Sequence, residues 1–217
     1  MTAVPAEPAW RQRAVERSTR AAKLRAEQRV QRFLDSAQGL IAEKGTTDFT
    51  VQEIVDRSKQ SLRSFYQHFD GKHELLLALF EDALARAAEE IQEAGSGTED
   101  PLERLHKAVE MLYEQCHPSL GAQRPLFNDF ALQLLVKHPD QVATAHLPLL
   151  NVFVELIDQA EAAGALPAGK PRRQASLVMQ TVMFAALANG VPAESYAQPV
   201  TVDEVWQFCL GGISRAS

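Results

Sequence analysis

Five polar side chains occupy six consecutive positions, Arg63-Ser64-Phe65-Tyr66-Gln67-His68, with a single apolar residue between them. Arginine and glutamine are side chains that can each make a paired hydrogen bond to the edge of a nucleic-acid base. Other chemistry has weaker support in the chain. There is no phosphate-cradling glycine loop, no His-Glu-x-x-His and no paired-cysteine metal spacing, so no metal site and no cofactor are expected. The six histidines are scattered, and Cys116 and His117 are neighbours in sequence, an arrangement that does not aim a nucleophile at a base. Cys116 and Cys209 read as small buried residues. An enzyme with a site assembled only in three dimensions is the remote alternative.

Charge is distributed in a way that the net value of −6 conceals. Residues 1–72 hold 13 Lys and Arg against 9 Asp and Glu, whereas residues 73–217 hold 9 against 19. A basic head on an acidic body places a polyanion site in the first third of the chain.

The elements that must position these residues are helices, because apolar residues recur at helical spacing and no stretch alternates as a strand would. The fold class expected is all-α with about nine or ten helices: an N-terminal three-helix helix-turn-helix domain and a C-terminal helical domain. Val30, Phe33, Ala37, Leu40 and Ile41 share one helix face, stopped by Lys44 and Gly45. Thr50-Val51-Gln52-Glu53 forms a capping box for a short helix through Arg57. After a break at 58–61, a second short helix runs over about 62–69 with Ser61 as its N-cap. Phe49, Val51, Ile54, Val55, Leu62, Phe65 and Phe69 close a small core against the first helix, leaving Arg63, Ser64, Tyr66, Gln67 and His68 on other faces.

Asp70 caps a long helix over about 71–92, and Gly95-Ser96-Gly97-Thr98 is a linker by composition. Asp100-Pro101-Leu102-Glu103 starts a helix to about Cys116. Further helices are expected over about 123–137, from Pro139, over 144–163 ending at Gly164, and over 172–189. Thr201 to Glu204 opens the last helix, through Ile213. The 172–189 helix is apolar nearly all round and must be covered on most sides. The longest unbroken apolar run, Val182 to Ala188, is far short of a bilayer span, and Met1 to Trp10 has no apolar signal core. A cytoplasmic protein without membrane contact is the expectation.

The string Thr50-Val51-Gln52-Glu53-Ile54-Val55-Asp56-Arg57, then Ser61, Phe65-Tyr66-Gln67-His68-Phe69, Lys72 and Leu75, resembles the N-terminal pattern of the tetracycline-repressor (TetR) family over about residues 29–80. The resemblance implies a transcriptional regulator, a repressor that a small ligand releases from a palindromic operator. Thr50, Ser61, Tyr66 and Lys72 fall where family members contact phosphates, and Arg63, Ser64 and Gln67 where they read bases, with His68 on the same helix. The chain departs from the pattern at Lys59 and Arg63, where glycine is usual.

The implied domains are a basic arm (1–24), the DNA-binding domain (25–72) and a ligand-binding and dimerisation domain (73–217), with 71–92 as the connecting helix. Helices 144–163 and 172–189 resemble the pair through which family members form homodimers; a buried central helix of a monomer is the other reading of the second. Met111, Tyr113, Phe127, Phe130, Leu134, Phe153, Met179, Met183 and Trp206 are candidates for lining a cavity for a hydrophobic or amphipathic effector, or for plain core. Arg124, His106 and Lys107 could meet an anionic group of such a ligand, or lie on the surface. Two readings also stand for Arg13, Arg17 and Arg20 with Arg25, Arg29 and Arg32: a helical arm that follows the phosphates, or a solvated tail. A helical interaction protein with no DNA role is the alternative to the regulator.

Overall fold

The computed structural model describes residues 9–117, 130–188 and 199–215, and among these it contains ten helices and no strand. The described residues up to Leu40, with Phe49–Leu75, form one compact unit; Ile41–Asp48, with the described residues from Leu76 onward, form a second.

In the first unit, α1 (Ala9–Lys44) is one continuous helix that includes the arginine-rich leader. No residue in the leader stops a helix, and apolar burial begins only at Phe33 and Leu34. The leader residues from Ala9 onward are therefore on a helix. At about 100° per residue, the 13/17/20 and 25/29/32 triplets lie about 120° apart around the axis. Arg17, Arg20, Arg25 and Arg32 are exposed and Arg29 is half-buried. The helix ends as expected at Gly45, whose φ of 65° suits a residue without Cβ and whose N–H donates to the Ile41 carbonyl at 2.9 Å.

Thr50 caps α2 (Val51–Ser58) through the full reciprocal box: its hydroxyl accepts from the Glu53 N–H, and its own N–H donates to the Glu53 carboxylate at 2.8 Å. Lys59 then ends α2 with φ 54° and ψ 35°, in the left-handed region. Here the chain makes the turn that glycine usually makes in the resembled pattern, and a side chain in this region costs about 1–2 kcal/mol. Glycine raises the entropy of the unfolded chain, which offsets part of that gain. Lys59→Gly is therefore expected to stabilise the first unit by up to about 1 kcal/mol, read as a rise of a few degrees in its unfolding midpoint. A fall in the midpoint would show that Lys59 makes a compensating contact.

Helix α3 (Leu62–Tyr66) is shorter than the sequence suggests, because Gln67 and His68 form a turn that carries Phe69 back into the core. The core is an aromatic trio. Phe33 stands edge-on to Phe65 at 5.4 Å and to Phe69 at 6.2 Å, and Phe65 lies 5.5 Å from Phe69. All three are buried with Phe49, Ile54 and Val55. Gly39 on α1 admits the Arg57 side chain, since a Cβ there would meet the guanidinium at 2.6 Å.

Helix α4 (Lys72–Gly95) starts in the first unit and continues in the second. The second unit adds α5 (Pro101–Cys116), α6 (Ala131–Lys137), α7 (Pro139–Ala145), α8 (Leu147–Ala162), α9 (Pro171–Ala188) and α10 (Val202–Ile213). The expected helix over 144–163 is thus split at His146, with Pro148 in the first turn of α8. Of the expected helix over 123–137, only α6 lies in the described residues. Asp100 caps α5 by accepting from the Leu102 N–H at 2.9 Å, and Thr201 caps α10 through a second reciprocal box. Gly164 (φ 74°) closes α8, with the Ala165 N–H donating to the Ala160 carbonyl. Helices α5, α8 and α9 pack on one another around Leu105, Leu112, Phe153, Ile157, Val178 and Val182.

Candidate nucleic-acid interface and effector cavity

In the first unit the aromatic trio fixes which side of α3 faces outward. With Phe65 turned inward, Arg63, Tyr66 and Gln67 stand three and four positions apart on the opposite face, and all three are exposed. Tyr66 is 55% exposed and rests edge-on against Phe65 at 5.4 Å, which holds its ring. This face offers the fork of an arginine and the amide of a glutamine one turn apart.

The remaining expected contacts differ in how available they are. Ser61 uses its hydroxyl oxygen to accept from the Ser64 N–H at 3.0 Å, which leaves the hydroxyl proton to donate elsewhere. The Thr50 hydroxyl both accepts from the Glu53 N–H and donates to the Glu53 carboxylate at 3.0 Å, so it is committed to the cap. Ser64 Oγ is closed off from solvent with no hydrogen-bond partner, and so is His68 Nε2. These two atoms are not on the exposed face with Arg63 and Gln67. Lys72 places its ammonium 5.6 Å over the Phe49 ring at the start of α4.

In the second unit a cavity of about 510 Å³ opens beside α9, a volume suited to a small organic ligand. Its walls are mostly apolar, from Phe80 on α4, Leu135 on α6, Val142 on α7, Leu150 on α8 and Leu187 on α9. Arg172, Ser176 and Gln180 add a polar edge on successive turns of α9. Of the sequence candidates only Met179 and Met183 line it. Phe130, Leu134 and Phe153 are buried core instead. The Tyr113 hydroxyl donates to the Val200 carbonyl, Trp206 stacks on His106, and Met111 is half-buried outside the cavity. Phe127 and Arg124 lie outside the described residues. His106 and Lys107 do not reach the cavity; the Lys107 ammonium donates to the Ala94 carbonyl.

His146 is a wall residue that sequence reading missed, because nothing local distinguishes it from a surface histidine. Its Nδ1 donates to the Val142 carbonyl at 2.8 Å, and its ring stands 5.5 Å from that of Phe80. Burial lowers its pKa below the usual 6.5, with the Val142 hydrogen bond acting more weakly in the opposite direction. The unfolded chain therefore binds this proton more readily than the folded one. Its contribution is at its full value above pH 6.5 and declines as the pH falls through 6.5 toward the lower folded pKa. The expected result is a thermal midpoint that falls on acidification from pH 7.5 to 5.5, and falls less in His146→Gln. Identical pH profiles for the two proteins would refute the assignment.

Both cavity-side and core thiols are inert: burial pushes Cys116 up to about 12 and Cys209 up to about 11. No helix among the described residues is long and apolar enough to cross a membrane.

Comparison with known proteins agrees with this geometry. Residues 33–79 match the family model described as bacterial regulatory proteins, tetR family. The transcriptional activator FasR of Mycolicibacterium smegmatis, of helix-turn-helix type, is 29% identical over 123 residues, which cover 56% of each chain. The chain thus matches about half the length of this curated relative. Among solved structures, the fatty acid degradation regulator FadR from Bacillus halodurans aligns with a TM-score of 0.66 at 21% identity, over 85% of this chain and 96% of that one. FadR from Bacillus subtilis, in complex with stearoyl-CoA, aligns with a TM-score of 0.65 at 17% identity, over 84% and 98%. These relatives are regulators rather than enzymes. The match to the tetR family model thus lies within residues 33–79, and the solved regulators share the fold over most of the chain.

Proposed function

We propose that the protein binds a near-palindromic operator as a homodimer and that an amphipathic effector in the α9 cavity changes its affinity for that operator. The observation that carries this reading is the exposed Arg63, Tyr66 and Gln67 face, held by a buried aromatic core in a unit whose sequence matches a DNA-binding family. Arg63 and Gln67 are assigned to base edges, and Tyr66, Ser61 and Lys72 to phosphates. Thr50 serves mainly as a cap, and Ser64 and His68 hold secondary roles. The exposed arginines of α1 add attraction to phosphate that does not depend on sequence.

Dimerisation is assigned to α9 with α10 rather than to 144–163 with 172–189. Beyond its first turn, where Leu147 is 38% exposed, the large apolar residues of α8 face its own unit, and Asn151, Glu155, Asp158 and Gln159 are exposed. By contrast, Leu177 (59%), Phe184 (57%) and Phe208 (73%) are exposed on α9 and α10. Large apolar side chains left open on adjacent helices fit a two-fold contact.

The effector reading rests on a cavity that is apolar inside and polar along Arg172, Ser176 and Gln180. An acyl chain would fill the apolar part, and an anionic head group would meet Arg172. The stearoyl-CoA bound by the Bacillus subtilis regulator makes long-chain acyl thioesters the first class to test. The names of the relatives include an activator, so the direction of regulation is left to experiment.

The deciding experiment titrates the full chain against DNA from upstream of its own coding region, with random DNA as control, at several salt concentrations. Binding at least about 10³-fold tighter to one near-palindromic site supports the reading. Equal, steeply salt-dependent binding to both DNAs would reduce the first unit to a phosphate-binding surface. Adding acyl thioesters of graded chain length then tests the effector: a length-dependent change in operator affinity is expected.

A further inference from the structure

Away from the cavity, the second unit brings together three groups that sequence reading did not connect. His106 and Glu110 are four residues apart on α5, and Asp203 is in the first turn of α10. His106 Nε2 lies 3.6 Å from Glu110 Oε1 and 4.0 Å from Asp203 Oδ1, and all three ligand atoms are within 4.8 Å of one another. Both measured separations are too long for a hydrogen bond. Nε2 is nevertheless closed off from solvent and has no hydrogen-bond partner. The nitrogen thus lies close to two carboxylates and is hydrogen-bonded to neither.

We propose that His106, Glu110 and Asp203 bind one divalent first-row transition ion, with zinc the best fit. The spacing suits an ion: the point equidistant from the three atoms in their own plane lies about 2.5 Å or less from each, so a contraction of about half an ångström reaches ordinary zinc–ligand lengths. The donor set of one imidazole and two carboxylates suits zinc, manganese or iron rather than calcium or magnesium. It also supplies two negative charges to a dication.

Two neighbouring features prepare the site. The His106 ring is stacked on Trp206 at 4.7 Å with 18° between planes, which sets the direction of its Nε2. In the same turn of α10, Glu204 is committed to the Thr201 cap, accepting from its N–H and its hydroxyl at 2.8 Å each. The adjacent acid, Asp203, is 80% exposed and remains available to an ion. Three protein ligands would leave one position for water on the open side. Binding would fasten the start of α10 to α5 beside the Tyr113–Val200 hydrogen bond, and so brace the helix that carries Phe208.

The test uses the full-length protein with any purification tag removed, titrated calorimetrically with zinc and with cobalt, the latter also followed by visible absorption. One ion per chain at micromolar affinity is expected, with a rise in thermal midpoint when zinc is added. Asp203→Asn alters an exposed side chain and leaves the fold intact. It should weaken binding by about tenfold or more and abolish the zinc-induced rise. His106→Gln should remove the cobalt spectrum, while Asp140→Asn, elsewhere on the surface, should change neither readout. No saturable binding below about 1 mM overturns the proposal, as does binding that Asp203→Asn and Glu110→Gln leave unchanged.

Discussion

Arg63→Ala is expected to weaken operator binding about 5- to 150-fold while leaving the fold unchanged. The range follows from the roughly 1–3 kcal/mol that one paired arginine–guanine contact contributes to discrimination. The side chain is exposed on α3, and its removal opens no cavity in the core. Because the lost contact is to a base, binding to random DNA should fall much less, and the ratio of the two affinities should narrow. The salt dependence should change little, in contrast to removal of a phosphate contact such as Lys72. Equal weakening on operator and random DNA would move Arg63 from the bases to the backbone and leave Gln67 as the reader on this face.

Phe65→Ala should have the largest effect on stability, about 3–5 kcal/mol. Phe65 is fully buried and in ring contact with Phe33, Phe69 and Tyr66, so truncation removes the centre of the aromatic core as well as its area. A unit this small has little stability in reserve. The first unit should then unfold at or near ambient temperature, with operator binding lost, while the second retains its helical signal and its effector binding. A single unfolding transition that shifts as a whole would show that the two units unfold together.

The contrast between these two neighbours reflects how much of the molecule was legible in the sequence. Thr50 with Glu53, Thr201 with Glu204, Gly45 and Gly164 all act within one turn of chain, and each appears where its local pattern placed it. The aromatic trio was legible for the same reason, since Phe33, Phe65 and Phe69 fall on faces that helical spacing defines. Lys59 showed that the turn keeps its left-handed geometry without glycine. The end of α3 was misread because Phe69 is buried from a turn as well as it would be from a helix.

The second unit was harder, since Phe153 and Met179 are equally apolar and only packing decides that one is core and the other lines a cavity. Its polar edge comes from α9 and its histidine from the junction of α7 and α8, with no shared motif. The His106 cluster draws on residues almost a hundred positions apart, a distance that no spacing rule spans.

Cys116 has a consequence for the kind of molecule the cavity can tolerate. It is buried in the wall, and burial pushes its pKa up to about 12, which keeps it a thiol at neutral pH. An acyl thioester is an electrophile, and a thiolate beside it would take the acyl group in an exchange that consumes the effector and blocks the cavity. Held as a thiol, Cys116 is a chemically silent neighbour. For the acyl thioester class proposed above, occupancy would then follow concentration reversibly, which a sensor requires and a trap would not allow.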